Sequence, residues 1–353
     1  MTAHHHPDHH PDHHPDHHRA AAARLWHALK PFPRYPLVTP GTGSHTALPA
    51  LSADLGITLT LMRDDVGAYG GGGNKLRKLE YLLGAALEQG AKTVITVGAV
   101  QSNHCRLTAA ACRRAGLEPH LVLVRMVPNT TPDYVNNGNV LLDTLAGAVL
   151  HYVDTAEEAR ATIATLMQTL DHPYYIPAGG SDATGALGYV QAVAEILDSG
   201  QHWDLIVTTL GSGGTQAGLL AGYAAAGVPQ RILGLSIGYT VAEATPIVAT
   251  DAANTLTLLG SCANAPAPWI DDRGKGEGYG IVSPAGNDAI TAMIRQEGVF
   301  LDPVYTGKAM GALFSAVHDG TIRARSRVLF IHTGGFPGLF AYQPFLTPVQ
   351  AHG

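Results

Sequence analysis

A lysine at the mouth of a glycine-rich turn is the feature of this sequence that points most directly to chemistry. The turn Gly71-Gly72-Gly73-Asn74 precedes Lys75, and the residues after it have the pattern of an amphipathic helix. Burial or a nearby cation lowers the pKa of a lysine amine, and the uncharged amine can attack a carbonyl to form a Schiff base. A solvated lysine at an ordinary helix N-terminus is the alternative interpretation.

A second loop has the composition of an anion site. It runs from Thr209 to Gly218, between a predicted strand and a predicted helix, and it contains Gly211-Ser212-Gly213. Glycines let backbone N–H groups converge on a phosphate, and the helix dipole adds partial positive charge. Neither a complete GxGxxG nor a Walker A motif is present, which favours a phosphorylated ligand smaller than a nucleotide. A tight structural turn and an NAD-dependent oxidoreductase are the alternatives left open.

Groups that can bind a ligand or carry protons occur in further segments. Gln101-Ser102-Asn103-His104 follows a predicted buried strand, where an ordinary helix cap is the alternative interpretation. Two tyrosines, at 279 and 305, can transfer protons if the pKa of their phenols is lowered. A lysine, an anion loop and proton carriers together suit pyridoxal phosphate, whose ring stabilises a carbanion at the α-carbon of an amino acid.

Short apolar runs alternate with helical patterns along most of the chain, and this alternation predicts an α/β fold with parallel sheets flanked by helices. Ligands of such sheets bind at the carboxyl ends of the strands. We predict a short helix near Ala20, strands at 92–100, 120–126, 149–153, 174–177, 204–209, 231–236 and 327–333, and helices at 103–115, near Val140, and at 156–170, 185–198, 214–226, 286–297 and 307–318.

Bulk composition excludes several classes of protein. The net charge is −6 and the 22 Lys and Arg residues form no basic stripe, so nucleic acid is not an expected partner. No apolar run reaches about 18 residues, so no membrane span is expected. The N-terminus lacks the regions of a secretory signal. Three cysteines without CxxC spacing indicate reduced thiols and a cytoplasmic location.

The N-terminus has a histidine-rich repeat. Residues 4–18 repeat Pro-Asp-His-His and hold nine histidines. Proline at every fourth position prevents a helix and nothing apolar can be buried, so residues 1–19 are predicted to be a disordered tail. A metal-binding role and a plain extension both stay open, and no metal is expected in the active site. The candidate ligands in the tail are imidazoles, which suit nickel, copper or zinc: His4, His5, His6, His9 and His10.

The order of the motifs resembles a known family. The segments are GGNKLRKLEY at 72–81, QSNH at 101–104, GSGGT at 211–215 and DPVYTGK at 302–308. Over residues 30–345 the chain resembles the pyridoxal-phosphate enzymes that include 1-aminocyclopropane-1-carboxylate deaminase, D-cysteine desulfhydrase and L-cysteate sulfo-lyase. The resemblance implies the fold type II architecture of the tryptophan synthase β-subunit. It also implies a larger pyridoxal-phosphate-binding domain of residues 20–77 and 176–353 and a smaller α/β domain of residues 78–175.

The resemblance implies cofactor-binding roles. Lys75 would form the Schiff base with pyridoxal phosphate, and Asn103 would bond the 3-hydroxyl of the cofactor. Thr306 stands where the deaminase pattern has an acid paired with the pyridine nitrogen, and a hydroxyl there suits β-elimination better than cyclopropane opening. The phosphate would be held by backbone and hydroxyl donors of Gly211, Ser212, Gly213, Gly214 and Thr215.

The resemblance also implies substrate-binding and catalytic roles. Ser102 and His104 would face the substrate carboxylate or the migrating proton, and Tyr279 and Tyr305 would lie over the substrate. Lys75 would remove the α-proton, with Ser102 or a tyrosine assisting.

The expected activity is β-elimination on cysteine or a close analogue such as D-cysteine or L-cysteate, giving pyruvate, ammonia and sulfide or sulfite. The alternatives are ring opening of the 1-aminocyclopropane-1-carboxylate deaminase type and a non-enzymatic metal-binding role of the histidine-rich tail. Substrate chirality and leaving group are not determined by the motifs. The resemblance implies a homodimer.

Overall fold

The structure is a computed structural model that describes residues 15–38 and 42–346. The helices are α1 (Pro15–Leu29), α2 (Pro49–Leu55), α3 (Lys75–Glu88), α4 (Asn103–Ala115), α5 (Pro132–Asn136), α6 (Asn139–Leu145), α7 (Ala156–Thr169), α8 (Ala183–Asp198), α9 (Gly214–Ala226), α10 (Val241–Leu258), α11 (Pro284–Glu297), α12 (Thr306–His318) and α13 (Gly338–Ala341). The strands are β1 (His45–Ala47), β2 (Thr58–Arg63), β3 (Thr93–Ala99), β4 (Glu118–Val124), β5 (Val149–Val153), β6 (Pro173–Ile176), β7 (Leu205–Leu210), β8 (Ile232–Ser236), β9 (Trp269–Asp271) and β10 (Arg327–His332). Short 3₁₀ helices lie at Ala178–Gly180 and Gln343–Phe345.

Two sheets organise these elements. The larger sheet has six strands in the order β1-β2-β10-β7-β8-β9, and the smaller sheet has four in the order β5-β4-β3-β6. All neighbouring strands are parallel except β1 and β2, which run antiparallel. Apolar clusters lie on both faces of the larger sheet, so β7 and β8 are buried along their whole length. The predicted α/β class with parallel sheets flanked by helices is confirmed.

The predicted elements beyond residue 90 match the structure to within about two residues at each end. Helix α10 is a longer element that was not predicted. It contains Pro246, which removes a backbone hydrogen bond and obscures the helical pattern. The capping box formed by Thr240 and Glu243 is the sequence signal that marks its start.

The N-terminal helix begins earlier than predicted. Residues 15–19 were assigned to the disordered tail, but α1 starts at Pro15. Proline is tolerated in the first turn of a helix, where its missing N–H would have no partner, and Asp16 suits the positive end of the helix dipole. Buried Leu25 and Leu29 pack α1 into the apolar cluster that also contains α8 and α9. The candidate metal ligands His4, His5, His6, His9 and His10 lie outside the described residues.

The predicted domain limits stay a prediction, and the predicted boundary between residues 175 and 176 moves to follow Ile176. The smaller sheet is built from strands within residues 93–176, which come between β2 and β7 of the larger sheet. Ile176, assigned from the sequence to the larger domain, is the last residue of β6 in the smaller sheet and is fully buried. Among the described residues, no helix is long and apolar enough to cross a membrane.

Helix α8 fixes the first turn of α3 by direct backbone contact. A Cβ at Gly188 would lie 2.2 Å from the carbonyl oxygen of Arg77, so only glycine allows this approach. The buried Arg77 guanidinium also pairs with Asp64 and Glu195, each at 2.8 Å. These contacts position the segment that carries Lys75.

We therefore expect Gly188→Ala to destabilise the protein. The added methyl group overpacks the contact between α3 and α8, which lowers the free energy of unfolding by about 1–3 kcal/mol. The measurement is the urea denaturation midpoint followed by circular dichroism. An unchanged midpoint would contradict this close approach.

Candidate active site

A cavity of about 350 Å³ opens at the carboxyl ends of strands from both sheets. One wall comes from the end of β3 and the N-terminus of α4, and the other from the loop between β7 and α9 and the end of β10. Ligands of parallel sheets bind at this edge. The cavity brings together ten of the predicted site residues, which are Lys75, Ser102, Asn103, His104, Gly211, Ser212, Gly213, Thr215, Tyr279 and Tyr305.

The glycine turn before α3 positions Lys75. All four glycines at 70–73 have φ between 56° and 140°, which residues with a Cβ rarely adopt. Asn74 then ties the lysine to the opposite wall: its Oδ1 accepts from Lys75 Nζ at 3.0 Å, and its Nδ2 donates to Thr215 Oγ1 at 3.1 Å. The backbone N–H of Asn74 donates to the Thr333 carbonyl at 3.1 Å. The amine is therefore bonded to a residue that two other parts of the site hold in place.

The Lys75 amine is less basic than an ordinary lysine. Burial lowers its pKa to about 8, the Asp302 carboxylate opposes the shift, and the Arg106 guanidinium adds to it. The neutral fraction near pH 7 is therefore much larger than for a lysine with the usual pKa of about 10.4. A neutral amine is a nucleophile and a base, which is what Schiff-base chemistry needs.

The loop between β7 and α9 forms an anion cradle. Gly213 has a φ of +90° and precedes the N-terminus of α9, which carries unpaired N–H groups and partial positive charge. Ser212 Oγ lies 2.7 Å from Ser181 Oγ, and the N–H of Gly214 donates to Ser181 Oγ at 3.3 Å. Such hydroxyl and amide groups suit a phosphate.

Lys78 completes this cradle, although it was not among the predicted site residues. Its buried Nζ donates to the Gly179 carbonyl and to Ser181 Oγ, each at 3.1 Å. None of the ion pairs in the described part of the chain involves Lys78. Burial, with repulsion from Lys75, holds its pKa well below the usual value. The signal in the sequence is its spacing, because residues three apart share one face of a helix.

The N-terminus of α4 presents directed polar groups. Ser102 is the N-cap, and its Oγ accepts the N–H of Cys105 at 3.2 Å. Asn103 Oδ1 accepts from Asn139 Nδ2 at 2.9 Å, which leaves the amide nitrogen of Asn103 as a donor at the cavity. Asn139 is itself fixed by a 3.0 Å bond to the Gln101 carbonyl.

His104 lines the cavity as a neutral ring. The Thr96 hydroxyl donates its only proton to the Ile176 carbonyl at 2.8 Å, so His104 Nε2 must donate to Thr96 Oγ1, also at 2.8 Å. Burial and nearby Lys75 keep the pKa of His104 well below its usual value. Its imidazole therefore offers no positive charge to a carboxylate. The donors that remain in this segment are the backbone amides at the start of α4, the Ser102 hydroxyl and the Asn103 side-chain amide.

Tyr279 and Tyr305 lie together at the cavity with their hydroxyl groups in hydrogen-bond contact. Burial raises the pKa of both phenols well above the usual value. Proton removal by these phenols needs a lowered pKa, and that condition is not met. The phenols stay protonated at neutral pH and can only donate a proton.

Two predicted cofactor-binding residues do not line the cavity. Gly214 lies just behind the cradle, where its N–H bonds to Ser181. The buried Thr306 hydroxyl donates to Asp302 Oδ1 at 2.8 Å and accepts the N–H of Asp302 at 2.9 Å. Pairing of Thr306 with a ring nitrogen therefore stays a prediction.

Comparisons with known proteins give a consistent result. A family model described as pyridoxal-phosphate dependent enzyme matches residues 37–334. D-cysteine desulfhydrase of Salmonella typhi is 39% identical over 325 residues, covering 90% of this chain and 98% of that protein. A solved structure described as an ACC deaminase homologue has a TM-score of 0.84 and 36% identity, over 92% of this chain and 98% of that chain. Threonine deaminase isoform 2 of Solanum lycopersicum, at 18% identity and TM-score 0.64 over 90% of this chain and 85% of that chain, shares the fold alone.

The residues around the cavity fit pyridoxal phosphate. Lys75 supplies an amine of low pKa, and the buried Lys78 amine lies beside the hydroxyl groups of Ser181 and Ser212, with no carboxylate paired to it in the described part of the chain. The predicted fold type II architecture and the predicted cofactor are confirmed, and an NAD-dependent oxidoreductase is not supported. With a family match over most of its length and a relative at 39% identity, the chain belongs to the family of pyridoxal-phosphate dependent enzymes.

Proposed function

We propose that this enzyme is a carbon–sulfur lyase that carries out β-elimination on cysteine or a close analogue such as D-cysteine or L-cysteate. The products would be pyruvate, ammonia and sulfide or sulfite. One observation carries the proposal: the weakly basic Lys75 amine and the Lys78 anion cradle share one cavity, in a chain that is 39% identical to a D-cysteine desulfhydrase.

The residues of the chain divide the work between binding and proton transfer. Pyridoxal phosphate, when bound, withdraws electrons from the α-carbon of the amino acid. Lys78, Ser181 and Ser212 would hold its phosphate, and Asn103 would donate its amide N–H to the 3-hydroxyl. Lys75 is the attachment point and then the base that accepts the α-proton at Nζ, because a pKa near 8 suits proton transfer at neutral pH.

The α4 segment and the tyrosines act on the substrate. Backbone amides at the start of α4 bind the substrate carboxylate, and the Ser102 hydroxyl can donate a further hydrogen bond to it. Tyr279 and Tyr305 remain protonated, so they donate a hydrogen bond or a proton and do not remove one.

The low pKa of Lys75 predicts the pH dependence of cofactor uptake. Only the neutral amine attacks the aldehyde, so the rate falls as pH drops through the pKa of the amine. We expect the uptake rate of the apoenzyme, followed by visible absorbance, to be half-maximal near pH 8. A midpoint near 10, the value of an ordinary lysine, would contradict the geometry around Lys75.

A substrate panel tests the proposed activity. Pyruvate release would be measured with D-cysteine, L-cysteine, L-cysteate and β-chloroalanine, and 2-oxobutyrate release with 1-aminocyclopropane-1-carboxylate. Ring opening is the second candidate because the chain is similar to a structure described as an ACC deaminase homologue. We expect the highest kcat/KM with a cysteine-type substrate. Turnover of the cyclopropane substrate alone would reject the lyase proposal.

We also propose a homodimer located in the cytoplasm, as the resemblance implies. Light scattering of the purified enzyme would measure the mass against 36.9 kDa for one chain, and cell fractionation would test the location.

A further inference from the structure

Arg106 is a buried cation beside the glycine turn, and no binding or catalytic role has been assigned to it above. It lies on α4, one turn after Asn103, and is 2% exposed. Its Nη1 donates to the carbonyl of Gly70, and its Nη2 donates to that of Gly72 at 3.3 Å. The fork of the guanidinium therefore binds the turn that ends at Lys75 through two carbonyls.

The packing between α4 and this turn is close at several points. A Cβ at Gly70 would lie 2.9 Å from the side chain of Ala110, and one at Gly73 would lie 2.8 Å from Leu107. A Cβ at Gly71 would lie 3.2 Å from Arg106 Nη1. The glycine turn therefore follows the surface of α4. The hydrogen bonds from Arg106 fix the position of the turn and its distance from the helix.

The charge of Arg106 is not neutralised by contact with a carboxylate. No ion pair in the described ranges includes it, and its Nε has no hydrogen-bond partner there. Burial lowers its pKa only to about 10, while Asp143 and Asp302 oppose that shift, so it stays cationic at neutral pH.

We propose that Arg106 is a positioning residue for Lys75, which fixes the glycine turn through two carbonyls and places a permanent positive charge near the amine. This inference rests on the proposed role of Lys75 as the attachment point. The clamp sets where Nζ lies, and the charge disfavours the ammonium form. A displacement of a reacting group by about 1 Å can reduce a rate about 100-fold, so the clamp matters for cofactor capture.

Other titratable groups lie around the Lys75 amine, and the test must separate their effects from that of Arg106. Asp302, before α12, favours the ammonium form. Lys78 lies one turn further along α3, and the neutral His104 lies on α4. All three remain in place in the variants below, so a change in the titration of Lys75 reports on Arg106.

The test uses Arg106→Met, which removes the fork and the charge, and Arg106→Lys, which keeps the charge but not the fork. Arg113→Met is the matched control, because Arg113 lies on the same helix and donates to the carbonyls of Ala146 and Gly147. Competitive acetylation of the full-length apoenzyme, read by mass spectrometry at Lys75, gives the titration midpoint without any cofactor. The rate of pyridoxal phosphate capture is measured in parallel.

We expect the acetylation midpoint of Lys75 to rise in Arg106→Met, because a like charge has been removed. It should stay near 8 in Arg106→Lys and Arg113→Met. Capture should slow at least about tenfold in both Arg106 variants, since neither holds the turn in place, and should be unchanged in the control.

An unchanged midpoint in Arg106→Met would overturn the inference. If that variant does not fold, Arg106→Lys decides: slow capture with a wild-type midpoint supports the clamp, and wild-type capture overturns it. The results that would overturn the inference concern only the Arg106 variants. The wild-type enzyme would still gain visible absorbance when the cofactor binds Lys75, so the proposed function would stand.

Discussion

Replacement of Lys75 by alanine is expected to abolish both the visible absorbance of the cofactor-loaded enzyme and its turnover. Among the described residues that line the cavity, Lys75 is the only lysine. Its pKa near 8 lets the amine act as a nucleophile and as a base at neutral pH. Loss of a group with both roles should lower kcat by at least about 10³-fold. The measurement combines an absorbance spectrum with pyruvate release from D-cysteine.

Lys92→Ala is the control for this substitution. Lys92 is exposed and pairs with Asp171 at 2.7 Å. It precedes the first residue of β3, at the opposite end of that strand from the residues that line the cavity. Its spectrum and turnover should match the wild-type enzyme. An active Lys75→Ala variant with an unchanged spectrum would rule out the proposed mechanism.

Replacement of Lys78 by methionine should weaken binding of pyridoxal phosphate but not of pyridoxal, which lacks the phosphate. Methionine keeps the bulk of the buried stem and removes the amine that lies 3.1 Å from Ser181 Oγ. A hydrogen bond to a charged group contributes about 1.5–3 kcal/mol, which corresponds to a loss of affinity of about 10–150-fold. Equilibrium titration of the apoenzyme with each compound measures the difference.

Ser181→Ala tests the same cradle with a smaller change. The Ser181 hydroxyl contacts Lys78 and Ser212, so its loss should reduce affinity for the phosphate ester by no more than about tenfold. Equal losses for pyridoxal and its phosphate in Lys78→Met would show that Lys78 does not act on the phosphate.

Sequence patterns were sufficient for the parts of the site that depend on local spacing. A glycine turn before a helix located Lys75, and loops after parallel strands located Ser102 and Gly211, because carboxyl ends of such strands share an edge. The alternation of apolar runs and helical patterns also predicted most elements beyond residue 90. These features require only helix and strand periodicity, which a single sequence carries.

The remaining features depend on atoms that are far apart in sequence. The proton on His104 Nε2 is assigned through the bond between Thr96 and Ile176, which are 80 positions apart. The place of Lys78 in the anion cradle depends on its contact with Ser181, 103 positions away. The raised pKa of Tyr279 comes from burial, which no motif reports. Spacing identifies candidate residues, whereas protonation state depends on the tertiary environment.

The central claim is that Lys75 binds pyridoxal phosphate covalently, and borohydride reduction tests it most directly. The purified enzyme would be loaded with the cofactor, reduced, digested and analysed by mass spectrometry. We expect the visible band to disappear on reduction. The peptide that contains Lys75 should then carry the added mass of the reduced cofactor. Label on a different lysine, or an enzyme that stays colourless with added cofactor, would contradict it.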